Sequence, residues 1–81
     1  MRLDKYLKVS RIIKRRTVAN NACDAERVMV NGREAKASYQ VKIGDIIEIS
    51  LGNKAIKVRV DDISEVVKKD VAALMYTVIQ D

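Results

Sequence analysis

Val28-Met29-Val30-Asn31-Gly32 divides the chain into two stretches of different character. Valine at both ends of the tripeptide suits a pleated, half-buried strand. Asn31-Gly32 is the dipeptide that most readily takes the positive φ angles of a two-residue hairpin turn, so a hairpin is expected here. Before it the apolar residues recur at helical spacing, and after it they alternate.

Upstream, Leu3, Tyr6, Leu7 and Ser10 fall on one side of a helical wheel, with Lys5 and Lys8 elsewhere, which predicts a short amphipathic helix from Arg2 to Val9. Asp4 suits the positive end of that helix and is placed to orient nearby arginines. After Ile12-Ile13 and the basic run Lys14-Arg15-Arg16, Thr17 is expected to cap a second helix reaching about Arg27, with Val18, Ala19, Ala22 and Cys23 on its apolar face. Downstream, Val41 to Gly44 leads into a turn at Gly44-Asp45, Ile46 to Leu51 reads as a strand, and Gly52-Asn53 is a further turn. Ile56-Lys57-Val58-Arg59-Val60 alternates cleanly, which puts Lys57 and Arg59 on the outer face. Val66 to Met75 is expected to form a short C-terminal helix, with Val71, Leu74 and Met75 against the sheet. The fold class is α+β: two N-terminal helices packed on a small, mostly antiparallel sheet.

The 81 residues suffice for one domain, 1–81, with no repeat or linker and too small a core for a deep catalytic cavity. The net charge of +5 is unevenly placed. Seven basic residues stand against Asp4 alone in the first sixteen positions, whereas the remaining 65 carry nine basic and ten acidic groups. The excess therefore forms a local surface whose natural partner is nucleic acid. Arg2, Arg11, Arg15 and Arg16 can grip phosphate oxygens in bidentate fashion, and Lys5, Lys8 and Lys14 act as point charges. Backbone N–H groups beside Thr17 add an anion site at the start of the second helix. Lys36 is counted with these residues as an extension of the surface past the hairpin, and Arg33, Lys42, Lys57 and Arg59 are weaker candidates.

Cys23 is the only cysteine and histidine is absent, which excludes an intrachain disulfide, a Cys/His zinc site and a histidine-assisted nucleophile. Cys23, on an apolar helix face, reads as inert core. With three tyrosines as the whole aromatic complement, base stacking on an exposed sheet is poorly supported. No catalytic residue, metal or cofactor is expected. No stretch reaches the length of a membrane span, and the N-terminus does not read as a signal peptide, so a cytoplasmic protein is expected. A membrane-surface helix is the rival use of the basic stretch, but its apolar stripe is narrow and is needed by the globular remainder.

Four segments occur in a distinctive order: Arg2-Leu3-Asp4-Lys5-Tyr6-Leu7, Arg16-Thr17-x-Ala19, Val28-x-Val30-Asn31-Gly32 and Val41-x-x-Gly44-Asp45-x-Ile47. Together they resemble the alpha-L RNA-binding domain, the type named after ribosomal protein S-four, over about residues 1–51, with 52–81 as an extension. The uninterrupted stretch from Leu7 to Thr17 is most similar to the ribosome-associated quality-control branch of that family, related to the fifteen-kilodalton heat-shock protein. The resemblance implies binding to large ribosomal subunits obstructed by peptidyl-tRNA, contact with ribosomal RNA and tRNA, and support of a partner factor that adds C-terminal tails to stalled chains. A monomer without enzymatic activity is expected, since no catalytic arrangement follows the domain. A general heat-shock-type rescue role or a part in ribosome assembly, without tailing, is the alternative. Where the family usually closes the second helix with glycine this chain has Glu26, and Ala22 stands where a larger apolar residue is common.

Overall fold

Leu3, Tyr6 and Leu7 lie about one helical turn apart, and burying them together is what makes the first segment helical. In the computed structural model, which describes residues 1–64 and 72–79, helix α1 spans Leu3–Val9 and helix α2 spans Arg16–Asp24. Strands β1 (Val28–Val30), β2 (Arg33–Glu34), β3 (Ile46–Leu51), β4 (Lys54–Val60) and β5 (Tyr76–Val78) follow. They form one antiparallel sheet in the order β2-β1-β3-β4-β5. Leu3, Tyr6 and Leu7 of α1, Ala19, Ala22 and Cys23 of α2, and Val28, Val30, Ile47, Ile49, Val58 and Val60 of the sheet bury into one core. The side-chain alternation of the strands therefore turns one sheet face to the helices and leaves Lys57 and Arg59 on the other, as the sequence implies.

The hairpin forms as expected. Val30 pairs with Arg33, and Asn31 and Gly32 take φ of 53° and 81° in the two-residue turn between them. Asn31 also acts at a distance: its Nδ2 donates to Asp45 Oδ1 at 3.1 Å while its Oδ1 accepts from the Ile46 N–H at 2.9 Å. The buried Asp45 carboxylate accepts further bonds from Tyr39 Oη and the Lys42 N–H, both at 2.9 Å, and so locks the hairpin, the loop and the start of β3 together.

Several expectations are corrected. Thr17 is not the cap of α2: Arg15 holds the capping position in extended conformation without a side-chain cap, and Arg16 is already helical. Val18 is 49% exposed, because Ala19, Ala22 and Cys23 suffice to fill the seam with α1. Most of the expected helix from Val66 to Met75 lies in 65–71, outside the described residues. Its last part, Ala72–Met75, is one turn of 3-10 helix leading into β5, which helical periodicity missed. Met75 is buried as expected, but Leu74 is exposed. The Met75 carbonyl explains that placement: it accepts from Tyr6 Oη at 2.8 Å and from the Asp61 N–H at 2.8 Å, pinning the C-terminal segment to α1 and to the exit of β4.

α2 also stops earlier than Arg27. Asp24 is its last residue, and Glu26 turns the chain with φ of 61°. The Arg27 N–H reaches the Ala22 carbonyl at 3.0 Å and the Glu26 N–H the Cys23 carbonyl at 3.1 Å, the paired bonds of a Schellman closure. A glutamate in this left-handed position carries strain that glycine lacks. Glu26→Gly is therefore predicted to raise stability by about 1 kcal/mol, seen as a higher urea midpoint at unchanged slope.

Candidate nucleic-acid interface

Short helices set side by side place the start of α1 against the first turns of α2, and the contact is made by a carboxylate. Asp4 is buried, with 2% of its surface exposed, and is surrounded by donors. Its Oδ1 accepts from the Lys5 N–H at 2.8 Å and from Arg2 Nε at 3.1 Å. Its Oδ2 accepts from Asn20 Nδ2 at 3.3 Å and Arg16 Nε at 3.4 Å. Burial alone would push the Asp4 carboxyl up, but the Asn20 amide, the Lys5 N–H, Arg2 and Arg16 outweigh it and hold it below its ordinary 3.8. The group is an anion, an acceptor only, and its donors must orient toward it.

Two arginines fourteen positions apart in the chain are thus held on one carboxylate. Both arginine side chains remain about half exposed, at 45% and 49%. Ion pairs this exposed contribute only about 0–1 kcal/mol each to stability, so their main effect is to fix where the two cations point. Arg16 engages Asp4 through Nε. Around this pair Lys8, Arg11, Lys14, Arg15 and Thr17 are exposed and Lys5 is half-buried. Arg11 ends α1 with φ of 63°, its N–H bonded to the Lys8 carbonyl at 3.1 Å, so the chain turns on an arginine where glycine would be less strained. No side chain caps the first turn of α2.

The remaining cations are placed differently. Lys36 lines a groove with Cys23, Asp24, Glu26, Glu34 and Ala35, where three carboxylates offset its charge. Lys57 pairs with Glu48 at 3.4 Å across the β3–β4 ladder, and Arg59 pairs with Asp61 at 2.9 Å. Lys57 and Arg59 are thus paired with carboxylates, whereas the excess charge of the sequence lies in α1, the start of α2 and the stretch between them. Cys23 is buried, and desolvation chiefly pushes its thiol up to about 11, which keeps it protonated and unreactive at neutral pH.

Sequence reasoning did not find Asn20 and Asn21, which line a groove with Asp4, Arg16 and Thr17. A signal was present, since Asn20 follows Arg16 and Asn21 follows Thr17 at one-turn spacing on α2. Among the described residues no helix is long and apolar enough to cross a membrane.

The fold and this surface define an S4-type domain, and the chain belongs to that family: the S4 domain matches residues 1–47. Within the family it stands with proteins named RQC P-site tRNA stabilizing factor, or RqcP. It is 48% identical to that of Bacillus subtilis, spanning all of this chain and 94% of the relative. It is 53% identical to that of Streptococcus pneumoniae, again over the whole chain and 92% of the relative. Among solved structures, heat shock protein 15 of Vibrio cholerae, described as trimeric, superposes with a TM-score of 0.90 at 31% identity, covering 98% of this chain and 81% of that one.

Because the folded Asp4 value lies below the unfolded one, its contribution to stability is complete above the unfolded value and is lost as pH falls through the folded value. Stability measured by urea unfolding is predicted to decline from about pH 5 downward. Asp4→Asn should lower stability at pH 7 by roughly 1–3 kcal/mol and flatten that decline.

Proposed function

We propose that the chain binds structured RNA through the surface formed by Arg2, Lys5, Lys8, Arg11, Lys14, Arg15, Arg16 and Thr17, with Lys36 at its margin. The observation that carries this reading is the pairing of Arg2 and Arg16 on the buried Asp4, with both arginine side chains about half exposed. Two guanidinium groups confined on one carboxylate meet the phosphates of a folded backbone with less loss of orientational freedom than mobile side chains suffer on binding. The surrounding lysines and arginines add counterion release, which makes the interaction steeply dependent on salt. Such a surface reads the shape of RNA more than its sequence.

The RNA we assign is that of the large ribosomal subunit obstructed by peptidyl-tRNA, with contacts to ribosomal RNA and to the tRNA. The names of the relatives nearly half or more identical over the whole chain support the tRNA and the quality-control setting. In this reading the protein is a cytoplasmic, monomeric binding factor without enzymatic activity or cofactor. It steadies the tRNA while a partner factor adds a C-terminal tail to the stalled chain. The structural likeness to heat shock protein 15 favours a second reading, general ribosome rescue without a role in tailing. Loss of tailing in cells that lack the protein, restored by the wild type, separates the two.

Co-sedimentation with large subunits obstructed by peptidyl-tRNA tests the binding reading directly. Wild-type protein is expected to travel with the subunits at low salt and to leave them as salt rises. Arg2→Ala and Arg16→Ala should each weaken association about tenfold or more, whereas Lys54→Ala, at the start of β4, should change it less than twofold. Equal losses at all three positions would remove the assigned surface.

A further inference from the structure

The groove beside Arg16 holds a polar atom that phosphate binding does not use. Asn20 lies four residues after Arg16, one turn along α2, so their side chains are neighbours on the helix surface. Ionised Asp4 accepts hydrogen bonds and donates none, and this settles which way the Asn20 amide faces. Nδ2 points at Asp4 Oδ2, at 3.3 Å, and the carbonyl Oδ1 is turned away from it. Among the described residues, Oδ1 receives no hydrogen bond. Asn20, Asn21, Thr17 and Arg16 line one groove, so the amide and a guanidinium-bearing side chain belong to the same cleft.

An acceptor in that place does nothing for a phosphate, whose oxygens are acceptors themselves. It calls for a donor on the ligand, close to a phosphate. In a ribonucleotide the 2′-hydroxyl is such a donor, carried on the carbon next to the one that bears the 3′-phosphate. Deoxyribose has no donor there, and the 2′-hydroxyl is what allows a protein to tell RNA from DNA at a given site.

We propose that Asn20 selects ribose, its Oδ1 accepting a hydrogen bond from the 2′-hydroxyl of the nucleotide whose 3′-phosphate is held by Arg16. Asp4 then has two effects on recognition: it aims the arginines at phosphates and it turns the amide so that an acceptor meets the sugar. The assignment rests on the RNA-binding reading above and adds to it the chemical group that is read.

The test is a four-way comparison of affinities. Wild type and Asn20→Ala are titrated with a stem-loop RNA and with the same stem-loop carrying 2′-fluoro groups, which keep the A-form sugar pucker and remove the donor. Alanine is the better helix former, so the variant should fold, and far-ultraviolet circular dichroism checks this. Asn20→Ala is expected to weaken binding of the ribose probe roughly three- to tenfold and to leave the 2′-fluoro probe within twofold. Losses of equal size on both probes overturn the assignment, since they mean that Asn20 only braces Asp4 and Arg16 or meets a base. No loss on either probe overturns it as well. Wild-type binding that is absent, or that does not respond to salt, would remove the RNA-binding reading and this assignment with it. Asn21→Ala serves as the neighbouring control and should leave the ratio of the two probes unchanged.

Discussion

A carboxylate buried at the junction of two helices must be matched by donors, or the desolvation of its charge would unfold the junction. Asp4 is matched by a backbone N–H, an amide and two guanidinium groups, and the choice of partners couples fold to site. The backbone bond belongs to α1, the Asn20 amide to α2, and the guanidinium groups to the surface. Packing α1 against α2 therefore sets the arginines, and the arginines in turn neutralise the charge that the packing buries. Neither ion pair contributes much to stability at its exposure. Their worth lies in order: two long side chains that would otherwise sample many rotamers are confined before any ligand arrives.

The rest of the molecule keeps the positive field local. Two sheet cations that would spread it are answered by carboxylates, Lys57 by Glu48 across the ladder and Arg59 by Asp61. Lys36 sits among Asp24, Glu26 and Glu34. An excess charge gathered on one surface steers an anionic partner to that surface, whereas the same charge dispersed would favour contact in any orientation. The strained backbone follows the same division. Arg11 and Glu26 both close helices in the left-handed region, but the strain at Arg11 places a cation within the basic surface, while at Glu26 it is the closure of α2 that demands the conformation.

Much of this was readable in advance. The Val28–Val30 strand, the Asn31-Gly32 turn, strand β3 and the outward Lys57 and Arg59 follow from period-two alternation and turn chemistry, which are local properties. Departures occur where a distant group decides. The start of α2 moved from Thr17 to Arg16 because no side chain caps it and contacts with Asp4 hold its first turn. Strand β5 was missed because Tyr76-Thr77-Val78 becomes a strand only by pairing with the free side of β4, and the run before it looked helical. Asn20 escaped notice because an asparagine on a polar helix face is ordinary until its neighbour across the interface is known.

By itself the sequence determined the α+β class, the hairpin, the core faces and the region that carries the excess charge. Each of these depends on residue type and spacing along the chain. Tertiary structure alone decided which cations share a partner, which are neutralised and which way the Asn20 amide points. Those outcomes depend on distances between residues such as Asp4 and Arg16, or Asn31 and Asp45, which are remote in the chain and meet only once the core has closed.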